Sequence, residues 1–110
     1  MTYQHLDLLS GHWQELSFLV QMGNVGSEIT RTIDWQNKPQ FGHPQKAFAR
    51  ALELLWLTID DPKNKPRLRE LCRTYEALND WFYGDNLFNT NSQFWYQHFM
   101  AFQIAARNNP

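Results

Sequence analysis

Residues 47–59, AFARALELLWLTI, constrain this chain more than any other stretch. Phe48, Ala51, Leu52, Leu55 and Ile59 recur three and four apart, which is the apolar face of an α-helix. Leu54, Trp56 and Leu57 fill much of the remaining circumference, leaving Arg50 and Glu53 as the main polar interruptions. A helix that is apolar nearly all round lies at the centre of its domain or in an interface. Thirteen residues are too few for a membrane span, which needs about 20. Pro44 marks the start, and Asp60-Asp61-Pro62 marks the stop, because proline disfavours helix in the residue before it. The pattern predicts a helix over about 44–60 that forms the core pillar; the rival reading is that part of its surface meets a second subunit.

Three further helices follow from the same periodicity. Over about 12–37, Trp13, Leu16, Val20 and Gly23 form one stripe, and Phe18, Met22, Val25, Ile29 and Ile33 form another, with Ser10 as the expected N-cap. Ahead of it, Leu6, Leu8 and Leu9 can tuck a terminal arm onto the bundle. Gly23 and Gly26 each cost helix stability of about 1 kcal/mol relative to alanine. Close approach of a neighbouring helix, most simply at Ala47 and Ala51, would offset that loss; the alternative is a kink or break near Gly23-Asn24. Over about 66–83, Leu68, Leu71, Cys72, Tyr75, Leu78 and Phe82 face inward and Gly84 ends the helix. Over about 93–107, Trp95, Phe99, Phe102 and Ala106 share a face, Ser92 or Asn91 supplies the cap, and the tail from Asn108 should fray. No strand-like alternation appears. The expected fold is all-α, an up-down four-helix bundle with short loops, in one domain over residues 1–110.

Charge and composition narrow the function classes. A formal net charge of −1 gives no global pull toward nucleic acid or anionic membrane. The lone cysteine, Cys72, excludes an internal disulfide and points to a cytoplasmic setting; on an apolar helix face it reads as buried and inert. Five Trp and eight Phe supply large rings for a core and for a subunit interface. Trp56, Trp81, Tyr83 and Trp95 are the expected interface residues.

The search for chemistry gives mostly exclusions. Gly23 and Gly26 lack the strand and lysine of a phosphate loop. His5, His12, His43 and His98 show no metal-ligand spacing, and no Glu-x-x-His occurs, so neither metal nor other cofactor is expected. Glu28 reads as a partner of Arg31, and Asp60-Asp61 as a helix-end turn. One charge feature stands out: Lys63, Lys65, Arg67, Arg69 and Arg73 concentrate half of the ten Lys+Arg within residues 63–73. Near a helix N-terminus, such a stretch can hold a phosphate, a nucleotide or an RNA backbone. It also reads as a solvated face paired with Glu76.

The segments MGNVGSEITRTIDW (22–35), AFARALELLWLTIDDPKNKPRLRELCR (47–73) and YEALNDWFYGDN (75–86) resemble a family of small bacterial and archaeal helical proteins, distantly similar to HEPN-type and nucleotidyltransferase substrate-binding bundles. The resemblance implies a bundle that binds a partner such as a minimal nucleotidyltransferase in a toxin–antitoxin-like setting. HEPN ribonucleases carry Arg followed four to six residues later by His; here Arg31 precedes His43 by twelve positions, so those nuclease residues have no match. The expectation is therefore a non-catalytic interaction protein, a homodimer or one half of a hetero-complex. The alternatives are an anion or nucleic-acid binder using residues 63–73, and a ribonuclease of non-standard site using Arg73, Tyr83 and His98.

Overall fold

The break at Leu16-Ser17 sets the topology. In the computed structural model, which describes residues 6–108 and the side chains from Gly11 onward, the chain turns there from α1 (Leu6–Glu15) into α2 (Phe18–Asn37). Ser17 takes an extended backbone (φ −66°, ψ 159°), and its Oγ accepts from the Val20 amide at 3.2 Å. An N-cap thus interrupts the single helix expected over 12–37. Ser10 lies within α1 rather than capping it. The expected packing of Leu6, Leu8 and Leu9 concerns side chains outside those described, and Asn109 and Pro110 of the tail lie outside the described residues.

Three helices follow: α3 (Pro44–Asp60), α4 (Leu68–Phe82) and α5 (Ser92–Asn108), with 3-10 turns at Pro39–Phe41 and Pro62–Arg67. The described residues contain no strand, so the all-α expectation holds with five α-helices in place of four. Pro44 occupies the first turn of α3 as its fixed φ allows. Asn91 Oδ1 accepts from the Phe94 amide at 2.8 Å, which settles the cap of α5 on Asn91.

The middle position belongs to α2, not α3. It packs along α3 on one side and along α5 on the other, while α4 rests mainly on α3. Met22, Val25, Ile29 and Ile33 of α2 meet Phe48, Ala51, Leu52 and Leu55 of α3 in the core. Gly23 and Gly26 face α5 rather than Ala47 and Ala51: a Cβ on Gly26 would stand 2.7 Å from the Phe99 Cβ. The small residues do serve close packing, against the last helix. Trp56 of the supposed pillar remains 42% exposed. Cys72 is half-buried, short of the full burial its helix face implied.

A buried polar network fixes the junction of α1, α2 and α3. Trp13 Nε1 donates to Thr58 Oγ1 at 3.0 Å, and Gln21 Nε2 donates to the Trp13 carbonyl at 2.9 Å and to Asp61 Oδ2 at 2.8 Å. Asn64 Nδ2 donates to Gln21 Oε1 and to the Thr58 carbonyl, both at 2.9 Å. Higher up, buried Glu28 accepts from Arg31 Nη1 at 2.9 Å and lies 3.6 Å from Arg50 Nη1, tying α2 to α3.

Candidate functional site

Because α4 and α5 both lean on the α2–α3 layer without packing on each other along their length, an open cleft separates them. Trp81 and Trp95, with ring centroids 6.4 Å apart, bridge it near one end. Its larger compartment, about 640 Å³, is lined by Glu70, Arg73, Glu76, Phe88, Phe94 and His98 among others. A second compartment of about 300 Å³ continues past Glu70, Thr74 and His98 to Phe18, Met22, Arg67 and Phe102. Clefts between the helices of a bundle, mostly apolar with a few polar groups, are common binding sites.

The loop from α4 to α5 forms one rim, and it is built rather than loose. Asp80 accepts from the amides of Leu87 (2.8 Å) and Phe88 (2.9 Å) through its two carboxylate oxygens. Asn86 Nδ2 donates to the Thr90 carbonyl at 2.8 Å, and Asn86 Oδ1 accepts from the Thr90 amide at 3.0 Å. Asn86 and Asn89 take left-handed φ of 56° and 55°, a conformation asparagine tolerates better than most residues. What this scaffold displays is apolar: Leu87 is 85% exposed and Phe88 56%.

His98 stands between the compartments. Its ring lies parallel to Phe94 (5.9 Å, 17°) and edge-on to Phe99 (5.0 Å) and Phe102 (5.5 Å), and its Nε2 is buried without a hydrogen-bond partner. Burial holds its pKa below the ordinary histidine value, so the neutral ring is the folded form. The consequence for stability has a definite sign. At neutral pH and above, folded and unfolded chains both hold His98 neutral; as pH falls through about 6.5, the unfolded chain takes up the proton first and gains stability. The melting temperature should therefore fall between pH 7 and 5, and His98→Leu should flatten that part of the profile. A His98→Leu profile parallel to the wild type would assign the loss elsewhere.

The sequence-predicted residues scatter more than their spacing implied. Lys63 Nζ is bound to Asp61 and to the Gln14 carbonyl (2.9 Å). Lys65 lines a separate hollow with Trp56 and Asp60. Arg67 lies over the Phe18 ring, 4.3 Å from its centroid, Arg69 is exposed, and Arg73 borders the larger compartment. Residues 62–67 form a 3-10 turn ahead of α4, so the stretch does not converge on one helix N-terminus. Arg73 and His98 do share the cleft, whereas Tyr83 packs edge-on to Phe48 and Phe82 outside it.

Among the expected interface rings, Trp56 and Tyr83 are exposed, Trp81 is half-buried, and Trp95 is only 2% exposed. Trp95 is withdrawn into the core, its Nε1 donating to Thr90 Oγ1 at 2.9 Å, so it belongs to the chain's own packing. Leu87 and Phe88 are exposed side chains that stand outside the expected interface set, and Phe94 of α5 joins Phe88 in lining the cleft. The sequence signal for Leu87 and Phe88 is an apolar pair inside the otherwise polar GDNLFNTNS segment.

Among the described residues, no group of histidine, cysteine and acidic side chains is placed to hold a metal, and no helix is long and apolar enough to cross a membrane. Comparison with known protein families, curated proteins and solved structures finds no match for the chain.

Proposed function

We propose that this chain is a non-catalytic helical interaction module whose working surface is the α4/α5 cleft and its loop rim. The observation that carries this reading is the loop itself: a hydrogen-bonded scaffold with two left-handed asparagines holds Leu87 and Phe88 outward beside an open cleft. A loop ordered before binding avoids part of the conformational entropy that association otherwise costs. Apolar side chains exposed on such a scaffold suit a protein contact. Both cleft hydroxyls are tied into the chain's own structure: Thr74 Oγ1 donates to the Glu70 carbonyl (3.0 Å) and Thr90 Oγ1 accepts from Trp95 Nε1 (2.9 Å).

The contact is with a second copy, with a different protein, or with both. The sequence resemblance makes a minimal nucleotidyltransferase the first hetero-partner to try, and a cytoplasmic setting fits that pairing. Affinity capture and light scattering of the wild type and of Leu87→Ser/Phe88→Ser test the reading. The double variant should keep the wild-type helical spectrum and melting temperature to within a few degrees, because both side chains are solvent-facing. It should lose the partner and any self-association. Identical captured proteins and identical mass for both forms would overturn the proposal.

A further inference from the structure

The turn between α2 and α3 holds an aromatic side chain out in water, where the fold does not use it. Phe41 closes the 3-10 turn Pro39–Phe41 and is 70% exposed, so its ring contributes little to the core. The turn itself is fixed. The Lys38 amide donates to the Asp34 carbonyl at 2.9 Å, and the Phe41 amide to the Lys38 carbonyl at 3.1 Å. Gly42 then presses on the Trp35 ring: a Cβ there would stand 2.3 Å from Trp35 Cε2, so only glycine allows the contact. The Arg31 guanidinium also lies over this ring, 5.8 Å from its centroid. Phe41 and Trp35 thus flank a preformed hollow of about 420 Å³, completed by Asp34, Asn37 and Lys38. It shares no lining residue with the α4/α5 cleft.

The charge around the hollow selects its occupant. Residues 28–50 carry Arg31, Lys38, Lys46 and Arg50 against Glu28 and Asp34, whereas the rest of the chain carries six Lys+Arg against nine acids. These cations are connected in space. Arg31 and Arg50 meet at buried Glu28, yet their side chains stay 44% and 58% exposed. Lys46 is exposed one turn before Arg50 on the same face of α3. Basic side chains therefore run from the hollow, past Trp35, onto α3. An exposed ring beside a basic track suits single-stranded nucleic acid, because every base offers a π-face and every linkage a phosphate. Asp34, the acid lining the hollow, can accept from an amino group on a base edge. A duplex fits less well, since pairing keeps its base faces stacked on one another.

We propose that the α2–α3 turn binds single-stranded nucleic acid, one base stacking on Phe41 in the hollow beside Trp35 while neighbouring phosphates contact Lys38, Arg31, Arg50 and Lys46. This function goes beyond the protein contact assigned to the α4/α5 cleft and does not depend on it. Nor does it use residues 63–73, whose basic side chains diverge.

Fluorescence anisotropy of a labelled single-stranded RNA of about twelve nucleotides provides the test. Wild type should bind, with an affinity that falls as salt rises. Phe41→Ala should weaken binding about tenfold and leave the salt dependence unchanged, because it removes a stacking platform and no charge. Lys38→Gln/Lys46→Gln should weaken binding and also lower the slope of log affinity against log salt by about one. Both variants alter exposed side chains, so their melting curves should match the wild type. A duplex of the same sequence should bind more weakly than the single strand. Leu87→Ser/Phe88→Ser should bind the strand as wild type does, which keeps this site separable from the cleft. A wild type that leaves the strand unbound at low salt, a Phe41→Ala that binds as tightly as wild type, or a duplex held as well as the strand would each overturn the proposal. Strand binding lost in Leu87→Ser/Phe88→Ser instead would move the contact to the cleft and overturn it too.

Discussion

Gly26→Val should destabilise the protein by about 3 kcal/mol or more, and Gly26→Ala by about 1–2 kcal/mol, despite the better helix propensity of both residues. The reason is the α2/α5 contact. A Cβ at Gly26 would stand 2.7 Å from the Phe99 Cβ and 3.3 Å from its Cγ. Those atoms lie at the root of the side chain, so they cannot swing aside without moving α5. Phe99 is itself buried and stacked on Trp95, so displacing it also disturbs that packing. Gly23 provides the control on the same helix. Its Cβ would meet Gln103 no closer than 3.7 Å, an ordinary contact, so Gly23→Ala should be neutral or stabilising by up to about 1 kcal/mol. Urea midpoints of the three variants check the ordering. Equal midpoints for Gly23→Ala and Gly26→Ala would show that the helices separate freely there.

The glycines also show what the sequence could and could not say. Helix positions were legible because apolar spacing is strong over residues 18–37, 44–60 and 92–108, and because proline and asparagine mark the ends. The break at Ser17 was not, since a serine reads alike in a helix and at its cap until its backbone dihedrals are known. Nor was the central helix. Residues 47–59 look fit for the middle because rings and leucines surround them, yet α2 takes that place. Its second contact face is made of Gly23 and Gly26, which carry no hydrophobic signal although their smallness brings α5 close. The cleft was hidden for a related reason. Periodicity gives each helix an inward face but not the distance between two outer helices, and a loop such as residues 83–91 has no period at all. Its apolar pair, Leu87-Phe88, was readable as an anomaly. Its anchor, Asp80, carries no sequence signal of its own, because one carboxylate among the polar residues of α4 does not show which loop amides it will hold.

Asp61→Ala is expected to cost about 2–4 kcal/mol, seen as a melting temperature lower by roughly 10–20 °C. The position looked like an ordinary helix-end turn, and it does end α3, but its carboxylate is 3% exposed and accepts from Gln21, from the Lys63 amide (3.1 Å) and from Lys63 Nζ. Removing it strands a buried Gln21 N–H and a turn amide. Lys63, more than a third exposed, can turn to water and adds little to the loss. The pH dependence separates this carboxylate from His98. Burial alone would push the Asp61 pKa up, but the hydrogen bonds from Lys63 and Gln21 and the Lys63 charge outweigh it and hold the group below the ordinary carboxylate value. A depressed folded pKa contributes stability that is complete above the unfolded value of about 3.9 and is lost as pH falls through the folded one. The gap in stability between wild type and Asp61→Ala should therefore stay constant from pH 7 to about 5, where His98 titrates, and narrow only below about pH 4. A gap that closes already between pH 7 and 5 would mean that the network around Gln21 is held by something other than this charge.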